Sequence, residues 1–319
     1  MRGTTMGKVI KDGGKRSVRG ALGTRPLLLV VLLLLWPTSA PASTVPDMLG
    51  RPVTVPEGPL RLVSLSPSLT EIVFALGRED WLVGVTDFCD YPPAARLKPR
   101  VGGPMTPDLE RLLQVRPSLV LATGEGNPRD LVGQLTRLGI PIFAIKPEGY
   151  GGILHSVRTL GRVLQAEARA GALAQELDAR AARIRRAVAR LPRPRVLYLV
   201  WKDPVIAAGP ASFIHDLIQM AGGENVVREG TGPYPRLGLE EVVAHAPEVI
   251  VVASHTDAMD RASKVELGGL WQSTPAVRAN RVVLVPGDTL HRFGPRVVEG
   301  LEHLAQAIHP EAFAHPGMR

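Results

Sequence analysis

The sequence predicts an α/β fold of two similar lobes with mostly parallel sheets, joined by one long interlobe α-helix. Three observations point to it. Two segments 130 positions apart repeat one pattern: Leu109-Glu110 leads through Pro117 to Leu119-Val120-Leu121-Ala122, and Leu239-Glu240 leads through Pro247 to Val249-Ile250-Val251-Val252. On both sides of the chain's middle, apolar runs alternate with amphipathic ones at the spacing of parallel strand-helix-strand units. Between them, Glu167 to Leu191 holds no proline and one glycine, and sets Leu173, Leu177, Ile184, Val188 and Leu191 on one helical face.

Taken in order, residues 1–42 read as a secretory leader. Leu27 to Trp36 is an unbroken apolar run behind Lys8, Lys11, Lys15, Arg16, Arg19 and Arg25, and Ala40-Pro41-Ala42 supplies the small residues of a cleavage site. The run is too short to cross a bilayer comfortably. With Arg2 the leader carries seven Lys/Arg against Asp12, a net +6 of the chain's +8, so the exported protein is close to neutral and its charge says little about nucleic acid. Cys89 is the single cysteine, which excludes an intramolecular disulfide, and none stands at the cleavage point to accept a lipid. The expectation is a soluble, monomeric periplasmic protein that starts near Ser43 and is not a lipoprotein. The apolar fraction of 45% is ample for two ordinary cores.

A hairpin-like entry over 43–59 precedes the first lobe, 60–150. There Leu62 to Leu65 reads as a buried strand, and Ser68-Leu69-Thr70-Glu71 as a capping box that opens a helix ending at Gly77. Strands follow at Leu82 to Thr86, Leu119 to Thr123 and Ile140 to Ile145, with helices at Asp108 to Arg116 and Asp130 to Leu138. The interlobe helix occupies 151–192, and its Arg180, Arg183, Arg185, Arg186 and Arg190 form a solvated face. The second lobe, 193–308, has strands at Val196 to Val200, Val205 to Ala208, Val249 to Ala253 and Val282 to Val285. Its helices are Phe213 to Ala221, the repeat helix at Leu239, and one from about Pro295 to Ile308. Residues 309–319 read as a frayed tail. A continuous rod between the lobes implies modest hinge motion.

In open α/β sheets ligands sit beyond the carboxyl ends of strands. Those positions hold Asp87-Phe88-Cys89-Asp90-Tyr91-Pro92-Pro93, Gly124-Glu125-Gly126-Asn127, Trp201, Pro233-Tyr234-Pro235, and Gly287-Asp288 with His291-Arg292. Aromatic residues are only 4% of the chain, yet Tyr91, Trp201 and Tyr234 all fall here, which favours a flat, partly apolar ligand. Core packing is the competing reading for each ring. For Asp288 and Arg292 it is a surface i, i+4 ion pair, and for Glu110 and Glu240 it is opposition to the helix macrodipole.

Leu65-Ser66-Pro67-Ser68-Leu69-Thr70-Glu71-Ile72, Val83-Gly84-Val85-Thr86-Asp87-Phe88-Cys89-Asp90-Tyr91-Pro92 and Pro117-Ser118-Leu119-Val120 resemble the helical-backbone metal-chelate receptors, the class III periplasmic binding proteins, and within them the cobalamin-binding proteins of ABC importers. The likeness covers about Leu60 to Ile308. It implies a corrinoid as transported ligand, no resident cofactor, and as partner a permease dimer with separate ATPase subunits. By the same resemblance Tyr91 and Tyr234 flank the corrin ring, Asp288 and Arg292 form a polar pair near it, and Glu110 and Glu240 dock onto permease arginines. Two pocket positions that are tryptophan in that family appear here as Pro104 and Thr123.

Rival readings have named residues. A metal-ion receptor would draw on His255 with Asp257 and on His291, none of them paired at ligand spacing. A siderophore or haem pocket wants several basic groups, and only Arg292 is well placed. An enzyme would need Ser66, Ser68 or Cys89 as nucleophile, with no Gly-x-Ser-x-Gly elbow, His-Glu-x-x-His motif or Walker sequence beside them.

Overall fold

A computed structural model describes residues 42–124, 126–229, 232–254 and 267–313. The expected leader therefore lies outside the described residues apart from Ala42, as do Glu125, His255 and Asp257. The chain opens with an antiparallel hairpin, β1 (Ala42–Pro46) and β2 (Pro52–Pro56). Asp47 closes its turn, accepting from the Leu49 and Arg51 amides at 2.9 Å each and pairing with the Arg51 guanidinium at 2.7 Å.

The first lobe contains β3 (Leu62–Ser64), α1 (Pro67–Ala75), β4 (Leu82–Val85), α2 (Leu109–Gln114), β5 (Leu119–Thr123), α3 (Arg129–Arg137) and β6 (Ile142–Ile145). Its sheet runs β4-β3-β5-β6, every pair parallel. Both faces are covered, so successive side chains enter different cores: Leu62, Leu119 and Leu121 one, Val63, Val120 and Ala122 the other. That is why these strands read as continuous apolar runs.

Two antiparallel helices, α4 (Gly149–Val163) and α5 (Glu167–Val188), lead to the second lobe. The long interlobe helix is α5, whose 22 residues span about 33 Å. Ala170 and Ala174 at its start belong to the core of the first lobe, Leu177, Ala181, Ile184 and Val188 to that of the second, and Leu173 packs on both. Helix α4 spans the same two cores in the opposite direction, with Tyr150 and Ile153 in the second and Val157 and Leu160 in the first. The single rod expected over 151–192 is thus a helical pair, broken where Gln165 takes φ 52°. Gly161 permits the tight return, since a Cβ there would stand 2.3 Å from the Ala170 Cβ. On the arginine face, Arg180 is not simply solvated; it pairs with Glu302 at 3.1 Å.

The second lobe contains β7 (Arg195–Trp201), β8 (Ile206–Ala207), α6 (Phe213–Met220), β9 (Glu224–Asn225), α7 (Leu239–His245), β10 (Val249–Ser254), α8 (Pro275–Arg278), β11 (Val282–Pro286), α9 (Gly287–Leu290), α10 (Val297–Ile308) and α11 (Pro310–Phe313). The sheet order β11-β10-β7-β8 matches that of the first lobe, with β8 antiparallel where β4 is parallel and β9 added beside β7. Residues 309–313 are not frayed: His309 is buried and its Nε2 lies 3.2 Å from the Gly222 carbonyl.

The repeat extends to the backbone. Helices α2 and α7 both end at a left-handed residue directly before the proline, Arg116 at φ 45° and Ala246 at φ 46°. The next residue then clasps the lobe's first strand. Ser118 N donates to Arg61 O at 2.9 Å and its Oγ accepts from Arg61 N; Glu248 N donates to Arg195 O at 2.8 Å and its carboxylate accepts from Arg195 N. Proline excludes a further helical hydrogen bond, and the left-handed residue turns the chain into the strand.

Candidate functional site

The strand C-termini of the two lobes meet through a cluster of charges. From the first lobe comes the loop after β4. Cys89 is fully buried beneath it, with its Sγ 3.1 Å from both Thr70 Oγ1 and Thr86 Oγ1. Arg100 adds bonds to the Thr86 and Cys89 carbonyls at 2.6 and 3.0 Å. The thiol therefore fastens the loop to α1, and neither a nucleophile nor a metal ligand fits its surroundings. So fastened, the loop presents Asp90 and Tyr91 outward.

From the second lobe, the segment after α9 supplies Arg292 and Arg296. Arg292 Nη1 is 2.7 Å from Asp90 Oδ1 and 3.4 Å from Glu71 Oε1, while its Nη2 is 3.1 Å from Asp288 Oδ1. Arg296 grips Glu71 with two bonds, Nε to Oε2 at 3.0 Å and Nη2 to Oε1 at 2.7 Å. The Glu71 side chain is 2% exposed, so these arginines satisfy a carboxylate that water cannot reach. Burial alone would raise the Asp90 carboxyl, but the Arg292 hydrogen bond and charge outweigh it and hold Asp90 below the ordinary carboxylate range.

This arrangement overturns the capping box expected at Ser68–Glu71. Ser66, not Ser68, caps α1, and its side chain makes no capping bond. Helix α1 is buried on most sides, and two guanidinia from the other lobe are stronger partners for Glu71 than a neutral backbone N–H. The ion pair of Asp288 with Arg292 is present, as one edge of the interlobe cluster.

The three rings are all exposed but differ in their partners. Tyr91 is 42% exposed, and the Arg296 Cζ lies 3.9 Å from its ring centroid. Tyr234, similarly exposed, lies near enough to Tyr198 for the two phenols to interact electrostatically. Tyr198 is buried, its phenol pushed far up by that burial, and its hydroxyl meets His291 Nε2 at 3.0 Å. Tyr198 and His291 thus tie β7 to the segment that carries Arg292. Trp201 is 56% exposed, and its Nε1 donates to the Asp203 carbonyl within its own turn. Among the described residues no group of three or more His, Cys, Asp and Glu is arranged to hold a metal ion.

The positions Pro104 and Thr123 are stitched together by Asn127. Its Nδ2 donates to the Pro104 and Leu65 carbonyls at 3.0 and 3.1 Å, and its Oδ1 accepts from Thr123 N at 2.7 Å. A hydrogen-bonded loop stands here in place of large rings. Glu110 and Glu240 are exposed in the first turns of α2 and α7, with Glu110 accepting from Gln114 Nε2 at 3.2 Å.

Sequence reading passed over Glu71, Asp90, Arg296 and Asn127 as site residues. One signal was present for Glu71: a carboxylate among Leu69, Ile72 and Val73 on a largely buried helix requires a cation from elsewhere in the chain.

Comparison with known proteins places this geometry in context. A family model described as periplasmic binding protein matches residues 62–289. The vitamin B12-binding protein of Photorhabdus laumondii is 31% identical over 251 residues, which cover 78% of this chain and 88% of that protein. Among solved structures, the periplasmic vitamin B12 binding protein of Vibrio cholerae aligns with a TM-score of 0.69 and 27% identity, covering 81% of this chain and 99% of that one. A periplasmic haem-binding protein from Roseiflexus in its apo form aligns equally well, at TM-score 0.69 and 27% identity, covering 80% of this chain and 100% of its own.

Proposed function

Because the chain belongs to the periplasmic binding protein family, we propose that it captures a corrinoid, cobalamin in the first instance, between its lobes and delivers it to the permease dimer of an ABC importer. At the coarser level it is a periplasmic solute-binding protein of such an importer and not an enzyme. ATP hydrolysis then falls to separate ATPase subunits. Export by a leader over 1–42, with cleavage near Ser43 and no lipid anchor, belongs to the same proposal, and the N-terminal sequence of the exported protein tests it.

The observation that carries the corrinoid reading is the charge balance of the interlobe cluster. Two guanidinia face three carboxylates, Glu71, Asp90 and Asp288, so both arginines are already neutralised. Haem propionates or siderophore carboxylates would have to displace those carboxylates. A corrin rim of neutral amides makes no such demand: amide N–H groups donate to Asp90 and Asp288, and amide carbonyls accept from Arg292. In this reading Tyr91 and Tyr234 stack on the ring, with Trp201 as a further apolar wall. Glu110 and Glu240, at repeated positions in the two lobes, grip permease arginines and chiefly fix orientation and encounter rate.

Haem is the second reading, favoured by the equal likeness to a haem-binding structure. Titration of the purified protein with cyanocobalamin, dicyanocobinamide, haemin and a ferric siderophore, followed in the visible spectrum, separates the two. Saturable micromolar or tighter binding of a corrinoid is the expected result. A response to haemin or siderophore with none to any corrinoid overturns the proposal.

A further inference from the structure

We infer that Arg296 is a positioning residue: clamped by Glu71, its guanidinium covers one face of the Tyr91 ring and leaves the opposite face as the surface offered to ligand. The loop that leads to Tyr91 is fixed from within its own lobe at Thr86 and Cys89, through the buried thiol and through Arg100. Nothing in those contacts sets the plane of the ring. Arg296 does so from the other lobe, with its Cζ 3.9 Å from the ring centroid, a cation–π distance.

The guanidinium itself has little freedom. Two of its nitrogens are spent on Glu71, and its side chain is mostly buried. The chain makes room for the carboxylate at Gly294, where a Cβ would stand 3.0 Å from Glu71 Oε2. Because Glu71 and Arg296 lie 225 residues apart, in different lobes, the Tyr91 ring is set only when the lobes hold this mutual arrangement. Lobe geometry and the ligand surface are therefore one coupled element. A merely structural tether between lobes would leave the ring's orientation, and the coupling between Arg296 and Tyr91, untouched.

The inference deepens the corrinoid reading and rests on it for the binding arm of its test. In that arm, Arg296→Lys keeps the charge but loses the planar fork, and it weakens dicyanocobinamide about tenfold. In a Tyr91→Ala background the same change alters affinity by less than about twofold. Equal weakening in both backgrounds overturns the proposal and leaves Arg296 a tether. The second arm needs no ligand and leaves Arg296 intact. In NMR spectra of the arginine Nε–H region, Arg296 gives an upfield-shifted, slowly exchanging resonance; Tyr91→Ala removes the ring-current shift and preserves the slow exchange. A resonance insensitive to Tyr91→Ala refutes the stacking directly. Should the wild-type protein bind no corrinoid, that result sinks the ligand assignment alone, and the NMR arm still decides the role of Arg296.

Discussion

Replacement of Arg296 by alanine isolates the energetic weight of the interlobe clamp. Glu71 then keeps only the 3.4 Å contact from Arg292 and loses both shorter bonds, while remaining 2% exposed. Breaking a buried ion pair from one side costs about 3–5 kcal/mol, because the surviving charge stays out of water. Arg292 remains close enough to relax toward Glu71, so the lower end applies, about 3 kcal/mol. For a folded chain of this size that corresponds to a fall in Tm of roughly 5 °C. Thermal and urea unfolding followed by circular dichroism measure it. The double variant Glu71→Leu with Arg296→Met removes both charges and fills the space, and it recovers most of the loss. A loss below about 1 kcal/mol for Arg296→Ala, the value of an exposed pair, refutes the reasoning. So does a double variant no more stable than the single one.

Other consequences can be measured independently. Leu177→Ala, in the interlobe helix and buried in the core of the second lobe, costs about 2–5 kcal/mol in the same unfolding assay, since it leaves a cavity where the two crossing helices pack. A lowered pKa carries a sign: the Asp90–Arg292 contribution is complete above pH 3.8, the ordinary value for Asp90, and is lost as pH falls through the lower folded-state value, so acid unfolding of Asp90→Asn is less steep than that of wild type below about pH 4. At the alkaline end, burial and then the Asp178 charge push the Tyr150 phenol up to about 12, so it stays protonated in the fold while the unfolded chain ionises near 10. Stability therefore falls as pH rises from 10 to 12, by about 1.4 kcal/mol per pH unit for such a phenol, and Tyr150→Phe flattens that slope in pH-dependent urea melts. Glu110→Ala combined with Glu240→Ala leaves ligand affinity unchanged and reduces uptake in a reconstituted transporter; unchanged uptake removes the docking role.

Much of the scaffold was legible because local rules decide it. Val249 to Val252 and Leu119 to Ala122 are apolar throughout, as strands covered on both faces must be, and their repetition 130 positions apart announced two lobes of matching sheet order. That 151–192 holds two helices and not one rod was not legible, because Gly149, Gly151, Gly152 and Gly161 weaken the local signal for a separate α4, which forms by tertiary contact with α5. The positions of Tyr91, Asp288 and Arg292 at the meeting of the lobes were legible from their places after strands. Asp90 and Arg296 were not, and for Glu71 only the need of a cation was legible and not which one, because the contacts join positions about 200 or more apart; at short range Glu71 stands three residues after a serine and mimics a helix cap. Asn127 was noted only as part of a small-residue loop, whereas its amide links Leu65, Pro104 and Thr123.

Calorimetric titration of the purified protein with cyanocobalamin and, separately, with haemin tests the central claim most directly. Capture between two lobes by neutralised arginines and facing rings predicts one cobalamin per chain with micromolar or tighter affinity, a weakening on Tyr91→Ala without loss of folding, and little heat from haemin. Saturation by haemin, with no cobalamin heat in the same buffer, would contradict it.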